Sequence, residues 1–353
     1  MEKLKIAIVG AGNISNSRHI PAVLKNRNLQ IVGIVSDEEI KISRTKEKYK
    51  FINNTLLINK NEDIIEQMKC CEWFMKDVDA SIIGVPPKQH FPMTKASITL
   101  KKHTLIEKPM MMSVAECDTV IELAKKSNLV LNVMHSFQFS DGIIKLDKLL
   151  KSGELGKIES ILELQLTNRN RRLPSWYDEL PLGLYYDEAA HFFYGARRFG
   201  GELKVLNANA LIEEGKNTPK FLQAQLMAGN VPVQIHMNFN SPICEWTLFL
   251  ICENKIAIYD YFKDILVVLK NDNQHLAKDV LRNSISSTVQ FWKGFIKKGF
   301  QMVSNNLLYG HDLCINKFAN EIFTGEKCFE LSPELGREVV KAMNEVVTNV
   351  IND

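Results

Sequence analysis

Hydrophobic and polar positions in the first third of the chain follow two alternating periods. Five short apolar runs are predicted strands, at 4–9, 30–35, 80–85, 104–107 and 129–134. Between several of them, apolar residues recur at the spacing of one helical face, at 13–27, 88–100 and 113–126. Because strands that alternate with helices form parallel sheets covered on both faces, we expect a doubly wound sheet here.

After about residue 136 the pattern changes to strands with few helices between them. Polar and apolar residues alternate over 158–167, which predicts a strand with one face in solvent. Further strand-like stretches follow at 205–212, 223–227, 233–239, 246–251 and 255–260, and helical ones at 311–324 and 333–351. The predicted fold is α/β: a parallel-sheet domain at 1–136, then an α+β domain at 137–353 on an open, mostly antiparallel sheet.

The composition excludes several classes of protein. With 44 Lys and Arg against 41 Asp and Glu, the net charge of +3 is too small for a nucleic-acid-binding surface. The seven cysteines are scattered without a C-x-x-C pair, so neither a disulfide framework nor a metal site is predicted. The N-terminus runs directly into a strand and no apolar run could span a bilayer, so we expect a soluble, cytoplasmic protein.

A glycine turn follows the first predicted strand and opens a helix. Gly10 permits a tight turn, and Gly12 lets backbone amides approach a pyrophosphate at the helix start, beside Asn13 and Ile14. Ser15, in place of a third glycine, is small enough for close packing of helix and strand. The alternative is a plain strand-to-helix turn, but the position and spacing favour dinucleotide binding, which makes this domain a Rossmann domain.

The end of the second strand carries the candidates for binding the adenosine ribose. Asp37 would repel a 2′-phosphate and therefore favours NAD, although Ser36 is the other candidate for this position. We expect NAD as the cofactor, with NADP as the alternative.

Four motifs, the glycine turn among them, carry a family resemblance. They are the turn at 6–15, Val-Pro-Pro-Lys-Gln-His at 85–90, and Glu-Lys-Pro at 107–109, followed by Asp187 and His191 in a D-x-x-x-H pattern. Together they resemble the Gfo/Idh/MocA oxidoreductases, NAD(P)-dependent enzymes that act mostly on sugars, sugar nucleotides and inositols. The resemblance covers the whole chain and implies a homodimer or homotetramer.

The resemblance also implies roles for residues at the matching positions. Lys108 and His191 match the principal catalytic residues of the family, and Pro86, His90 and Glu107 with Lys108 would line the cofactor. Independently, histidine titrates near neutral pH, which suits a base that takes a hydroxyl proton. Asp187 lies four residues before His191 in a segment, 186–199, that reads as a helix, so the two would share one face.

Three arginines follow the strand at 158–167 and precede two aromatic residues. Arg169, Arg171 and Arg172, with Trp176, could clamp an anionic group and stack on a sugar ring, and Tyr186 could add an apolar platform. A solvated basic loop, a subunit contact and, for the aromatic residues, core positions are the alternatives.

Two segments near the C-terminus have no role in this scheme. The segment 291–300 mixes aromatic residues with lysines, which is typical of a membrane-surface helix or of a docking element between domains or subunits. Its two glycines weaken a helix and favour the docking element. His311 is either a substrate contact or a structural residue beside a helix start.

The leading function is therefore hydride transfer between NAD(P) and a secondary hydroxyl or ketone of a sugar or sugar nucleotide. Two alternatives stay open: a redox-neutral epimerase, lyase or glycosidase with tightly bound NAD, and an NAD-binding regulator without turnover.

Overall fold

A computed structural model describes residues 2–304 and 307–352, which group into two units. The first unit consists of residues 1–136 and 311–341, and the second of 137–310 and 342–353. The hydrophobic pattern predicts a division after residue 136. It does not predict that 311–341 packs with the first unit.

The first unit is built on a six-stranded parallel sheet in the order β3-β2-β1-β4-β5-β6. The strands are β1 (Leu4–Val9), β2 (Leu29–Ser36), β3 (Asn54–Leu57), β4 (Ala80–Ile83), β5 (His103–Glu107) and β6 (Leu131–Met134). The central strands are apolar on both faces and buried, which is what a sheet covered by helices on both sides requires. The predicted Rossmann fold is confirmed.

Helices flank this sheet. They are α1 (Ile20–Lys25), α2 (Glu39–Lys48), α3 (Ile64–Cys70), α4 (Glu72–Asp77), α5 (His90–Thr99), α6 (Val114–Ser127) and, after the second unit, α11 (His311–Thr324). Ser113 caps α6 in a capping box with Glu116. The first predicted helix is not regular, because a π-helical turn at Ser15–His19 precedes α1. Such turns are frequent at functional sites.

The second unit is built on a seven-stranded sheet in the order β13-β12-β11-β7-β10-β9-β8. The strands are β7 (Ile158–Asn168), β8 (Leu203–Leu211), β9 (Phe221–Ala228), β10 (Val231–Ser241), β11 (Glu245–Cys252), β12 (Lys255–Asp260) and β13 (Ile265–Lys270). Only β10 and β7 pair in parallel, so the predicted mostly antiparallel sheet is confirmed. The edge strand β13 was not predicted.

The two faces of β7 are the reverse of the prediction. The polar residues Glu163, Gln165 and Thr167 are buried, while Leu162, Leu164 and Leu166 on the other face are partly exposed. Alternation fixes the period of a strand but not which face is covered. The buried face of this sheet therefore carries a row of polar groups that need partners.

Helices of the second unit are α7 (Asp141–Lys151), α8 (Leu184–Glu188), α9 (Ala190–Gly200) and α10 (Ala277–Val303), and α12 (Pro333–Asn352) runs from the first unit into the second. The helix predicted over 186–199 is thus divided at Ala189, between Asp187 and His191. In the described part of the chain, no helix combines the length and the hydrophobicity needed to cross a membrane.

Candidate active site

The glycine turn has the geometry that dinucleotide binding requires. Gly10 has a φ of +101°, and a side chain there would overlap the carbonyl oxygen of Gly84. At Gly12, in contrast, a Cβ would have no neighbour within 4 Å. The turn is fixed at Gly10 and open above Gly12, so the residues present fit a pyrophosphate approaching the backbone there. Asn13 is exposed and Ile14 half-buried at the start of the helix.

Gly12→Val is expected to weaken cofactor binding without disturbing the fold. The added side chain blocks the pyrophosphate, and its Cβ enters space with no protein atom within 4 Å. We expect the Kd for NAD to rise about tenfold or more, a loss of about 1.4 kcal/mol. Calorimetric titration with NAD and NADP measures this, and an unchanged melting temperature of the cofactor-free protein is the control. Unchanged affinity would show that the pyrophosphate lies elsewhere.

Ser36 and Asp37, the two candidates for binding the adenosine ribose at the end of β2, lie in different surroundings. The Ser36 side chain is buried and its hydroxyl accepts a hydrogen bond from the Glu38 backbone N–H at 3.3 Å. Asp37 is half-buried and pairs with Lys60 at 2.7 Å. Of the two candidates, Asp37 is thus the more exposed. Because Lys60 offsets its charge, the predicted preference for NAD over NADP is smaller than Asp37 alone implies.

The carboxyl ends of β4 and β5 carry the next group of predicted residues. The buried His90 ring bridges two backbone carbonyls, with Nδ1 2.7 Å from Pro109 O and Nε2 3.0 Å from Val85 O. Burial lowers the pKa of His90. The His90 ring thus connects the loop that carries Pro86 to the loop that carries Lys108 and holds both in position. Lys108 is half-buried at the end of β5, where open α/β sheets bind their ligands.

Glu107 is enclosed by two histidines. Its Oε1 lies 2.8 Å from His19 Nε2 and 3.6 Å from His311 Nε2, and all three residues are buried. Burial opposes ionisation, but hydrogen bonds to His19 and His311 outweigh it and hold the pKa of Glu107 well below its usual range. This cluster joins β5, α11 and the π-helical turn. Because Glu107 and His311 are already paired in it, a bound cofactor or substrate would have to compete with this pairing for the contacts predicted at these two residues.

In the second unit, His191 stands at the start of α9 and is nearly buried. Its Nδ1 lies 2.6 Å from the Tyr194 hydroxyl, which accepts a hydrogen bond from the Phe137 N–H at 3.3 Å. The imidazole is flanked by the rings of Phe137 and Trp246, with centroids 4.6 and 5.4 Å away. One ring nitrogen is thus held within an aromatic enclosure, which suits a group that exchanges protons with a bound substrate.

Asp187 belongs to a polar cluster on the buried side of β7. Tyr177 hydrogen-bonds to Asp187, and burial together with the charge of Asp187 raises the pKa of the Tyr177 hydroxyl. Beside it, Glu188 Oε1 pairs with the Arg171 guanidinium at 2.6 Å and the other Glu188 oxygen with the Gln165 amide. Burial raises the pKa of Glu188 although Arg171 opposes the rise.

The predicted substrate residues fall into different surroundings. Arg171 is committed to Glu188, whereas the Arg169 side chain is exposed. Trp176 is half-buried against Tyr177, with ring centroids 3.9 Å apart. Tyr186 is fully buried and its hydroxyl bonds to Asn344 at 2.8 Å, so it is a core residue and its burial does not support the predicted sugar contact.

Glu163 is a buried carboxyl group, although the alternation in β7 predicts that it faces solvent. Its Oε1 accepts a hydrogen bond from the Tyr261 hydroxyl at 3.1 Å, and among the described residues its Oε2 has no partner. Burial raises the pKa of Glu163 well above its ordinary value. The folded protein therefore holds a proton that the unfolded chain releases above a pH of about 4.5.

Glu163→Gln is expected to stabilise the protein at neutral pH. The folded state of the wild type holds a proton on Glu163 that the unfolded chain releases, so the free energy of unfolding falls as pH rises above the ordinary pKa of glutamate. Glutamine does not titrate, so the variant avoids this loss. The melting temperature of the variant should exceed that of the wild type at neutral pH, and the difference should shrink at acid pH. Glu159→Gln, on the same strand but exposed, is the matched control. A gap that widens on acidification would contradict the prediction.

The two units divide the predicted catalytic residues between them. Lys108 belongs to the first unit, whereas Asp187 and His191 belong to the second.

Comparisons with known proteins agree with this fold. Residues 4–135 match the model of an oxidoreductase family with an NAD-binding Rossmann fold. The scyllo-inositol 2-dehydrogenase (NADP(+)) of Bacillus subtilis is 22% identical over 234 residues, 65% of this chain and 62% of that enzyme. The chain's matches span between 45% and 65% of the length of the first curated relatives.

Solved structures resemble the whole chain. The UDP-N-acetylglucosamine 3-dehydrogenase of Acidithiobacillus ferrooxidans superposes with a TM-score of 0.71 at 13% identity, covering 99% of this chain and 98% of that one. A 3-ketoreductase variant from Actinomadura kijaniata, in complex with TDP-benzene and NADP, superposes with a TM-score of 0.76 at 15% identity, covering 99% and 98%. At these identities the likeness establishes the fold. The Rossmann sheet and the open glycine turn lie in the segment, residues 4–135, that matches the model of the Gfo/Idh/MocA oxidoreductase family.

Proposed function

We propose that the protein transfers a hydride between NAD(P) and a secondary hydroxyl or ketone of a sugar or sugar nucleotide. The observation that carries the proposal is His191, held through Nδ1 by Tyr194 inside an aromatic enclosure. The family's NAD-binding fold and the open space above Gly12 support the cofactor part. The names of the relatives, inositol and sugar-nucleotide dehydrogenases, support the substrate class.

The proposed mechanism gives each residue one task. Bound NAD(P) supplies a nicotinamide that accepts or donates a hydride. In the oxidative direction, the His191 imidazole takes the proton of the hydroxyl while the Tyr194 hydroxyl holds the ring in position. Lys108 donates a hydrogen bond to the reacting oxygen. Asp187, bonded to Tyr177, orients the substrate or the imidazole.

The proposed substrate carries an anionic group. Arg169 and Arg172 are exposed beside the cluster that contains Asp187. Neither forms a salt bridge within the described part of the chain, so both are suited to binding a phosphate. Arg171 is less available to bind the anionic group, because its guanidinium is paired with the buried Glu188.

Arg169→Ala is therefore expected to lower kcat/KM for a sugar phosphate or sugar nucleotide by the worth of a charge-assisted hydrogen bond, about 1.5–3 kcal/mol. The same change should leave kcat/KM for the neutral sugar unaltered. Arg171→Ala, in contrast, is expected to lower the melting temperature as well, since it leaves Glu188 buried without its cationic partner. Equal specificity constants of the wild type for neutral and anionic sugars would contradict the anionic substrate.

The direct test of the function is a panel of neutral, phosphorylated and nucleotide-linked sugars with NAD and with NADP. Reduced nicotinamide released in step with product supports a net dehydrogenase. Product without release of reduced nicotinamide would overturn net oxidation in favour of a redox-neutral reaction, and cofactor binding without product would overturn catalysis on these sugars.

A further inference from the structure

The long helix α10 turns its polar face towards the protein. The Gln290 amide donates to Val268 O and accepts from Val268 N, each at 3.0 Å. The Asn283 amide does the same with Lys270 O at 2.8 Å and Lys270 N at 3.3 Å. Gly294 lies on the same face, where a Cβ would stand 2.9 Å from Ile265. The side of α10 that packs on β13 is thus made of amides and a glycine.

The opposite side of α10 is apolar and faces outward. Its large side chains recur every three or four residues and are between 45% and 88% exposed. This outer stripe consists of Leu281, Ile285, Val289, Trp292, Ile296, Phe300 and Val303. Phe295 widens it, with its ring 5.7 Å from that of Trp292. A surface helix of a soluble protein normally buries such a stripe, so this helix has the reverse orientation.

Positive charge borders the outer stripe. The helix carries five basic residues and a single acid, Asp279. Lys293 and Lys297 line a groove between α10 and α7, to which α7 adds Lys145 and Lys148. In this groove Asp141 pairs with both Lys297 and the buried Lys298, and Asp264 pairs with Lys298. The two acids face five lysines, so the groove keeps an excess of positive charge.

We infer that α10 docks the protein onto the surface of an anionic lipid bilayer. The outer stripe enters the boundary between headgroups and acyl chains, and the bordering lysines contact lipid phosphates. An apolar face with Trp and Phe beside lysines is the composition of helices that lie in this interface. This docking is independent of the reaction proposed above.

Charge favours the bilayer over a second copy of the chain. A copy would present the same helix, whose one acid cannot match the basic groove of its partner. An anionic bilayer offers both an apolar layer for the outer stripe and phosphates for the lysines.

The test is sedimentation of the full chain with vesicles of phosphatidylcholine alone and of phosphatidylcholine with phosphatidylglycerol. We expect binding to the anionic vesicles that weakens with salt. Trp292→Ser with Ile296→Ser should reduce partitioning at least about tenfold. Lys293→Gln with Lys297→Gln should reduce it about fivefold for each lysine. Leu206→Ser with Leu211→Ser, and Lys204→Gln, change exposed residues of β8 and should have no effect.

Three results would overturn the inference. The first is an absence of binding to either vesicle by wild-type protein that melts cooperatively. The second is an equal loss in the β8 controls. The third is a dimer in analytical ultracentrifugation that Trp292→Ser with Ile296→Ser converts to monomer, with no vesicle binding by either form, which would assign the outer stripe to a second copy.

Discussion

His191→Ala is expected to lower turnover by about a hundredfold to ten-thousandfold, the usual worth of a positioned acid or base. The substitution removes the imidazole but leaves Tyr194 and the aromatic residues around it in place. Because His191 is proposed to act on the substrate hydroxyl, and NAD is expected to bind across the glycine turn, NAD affinity should be nearly unchanged. Steady-state kinetics on the best sugar of the panel, with calorimetry for NAD, measures both quantities.

His236→Ala supplies the matched control for this loss. His236 lies on β10 of the same unit and stacks on Phe221, so its removal tests for a general effect of losing a histidine. Near-native turnover of His191→Ala across the pH range would show that another group transfers the proton. Lys108 would then be the remaining candidate.

Lys108→Ala is expected to cut turnover by a comparable factor, about a hundredfold or more, because the reacting oxygen loses its hydrogen-bond donor. Cofactor affinity should fall modestly if the same ammonium reaches the nicotinamide ribose. Lys95→Ala, an exposed lysine of α5 in the same unit, is the control.

The pH dependence of the two variants separates the roles of Lys108 and His191. The variant whose kcat/KM no longer falls on the acid side of the profile has lost the general base. If Lys108→Ala loses this inflection and His191→Ala keeps it, the assignments of base and donor must be exchanged.

The parallel-sheet unit could be predicted in most of its elements because its signals are local. A buried strand is a run of apolar residues, and the turn at Gly10 needs a residue without a side chain. The contact of His19, Glu107 and His311 could not be predicted this way. These residues are far apart in the sequence, and Glu107 and His311 were predicted as contacts to cofactor and substrate rather than as partners of one another.

The second unit shows what periodicity leaves open. The alternation in β7 predicts a strand correctly but places Glu163 and Gln165 in solvent, whereas both are buried. Their burial depends on α9 and on partners such as Tyr261 and Glu188, which come from distant parts of the chain. Periodicity also did not identify Tyr194 as the hydrogen-bond partner of His191. The two residues are three positions apart on one helix, and this spacing could have indicated the contact.

The glycines of 291–300 argue against a helix by propensity, yet α10 is continuous through them. Gly294 is placed where the helix crosses Ile265, and any larger residue would push the helix away from the sheet. Propensity was outweighed here by a close approach that the sequence alone cannot reveal.

The amide pairs of Asn283 and Gln290 have a consequence for solubility. β13 is an edge strand, and unpaired backbone groups on an edge can recruit strands from other molecules. The two side-chain amides hydrogen-bond to the backbone N–H and C=O groups of Val268 and Lys270, as a neighbouring strand would. They therefore prevent another strand from adding to this edge. Deleting α10 would reopen a β-branched, apolar edge to self-association, and a shortened protein of that kind should aggregate through intermolecular β-sheet.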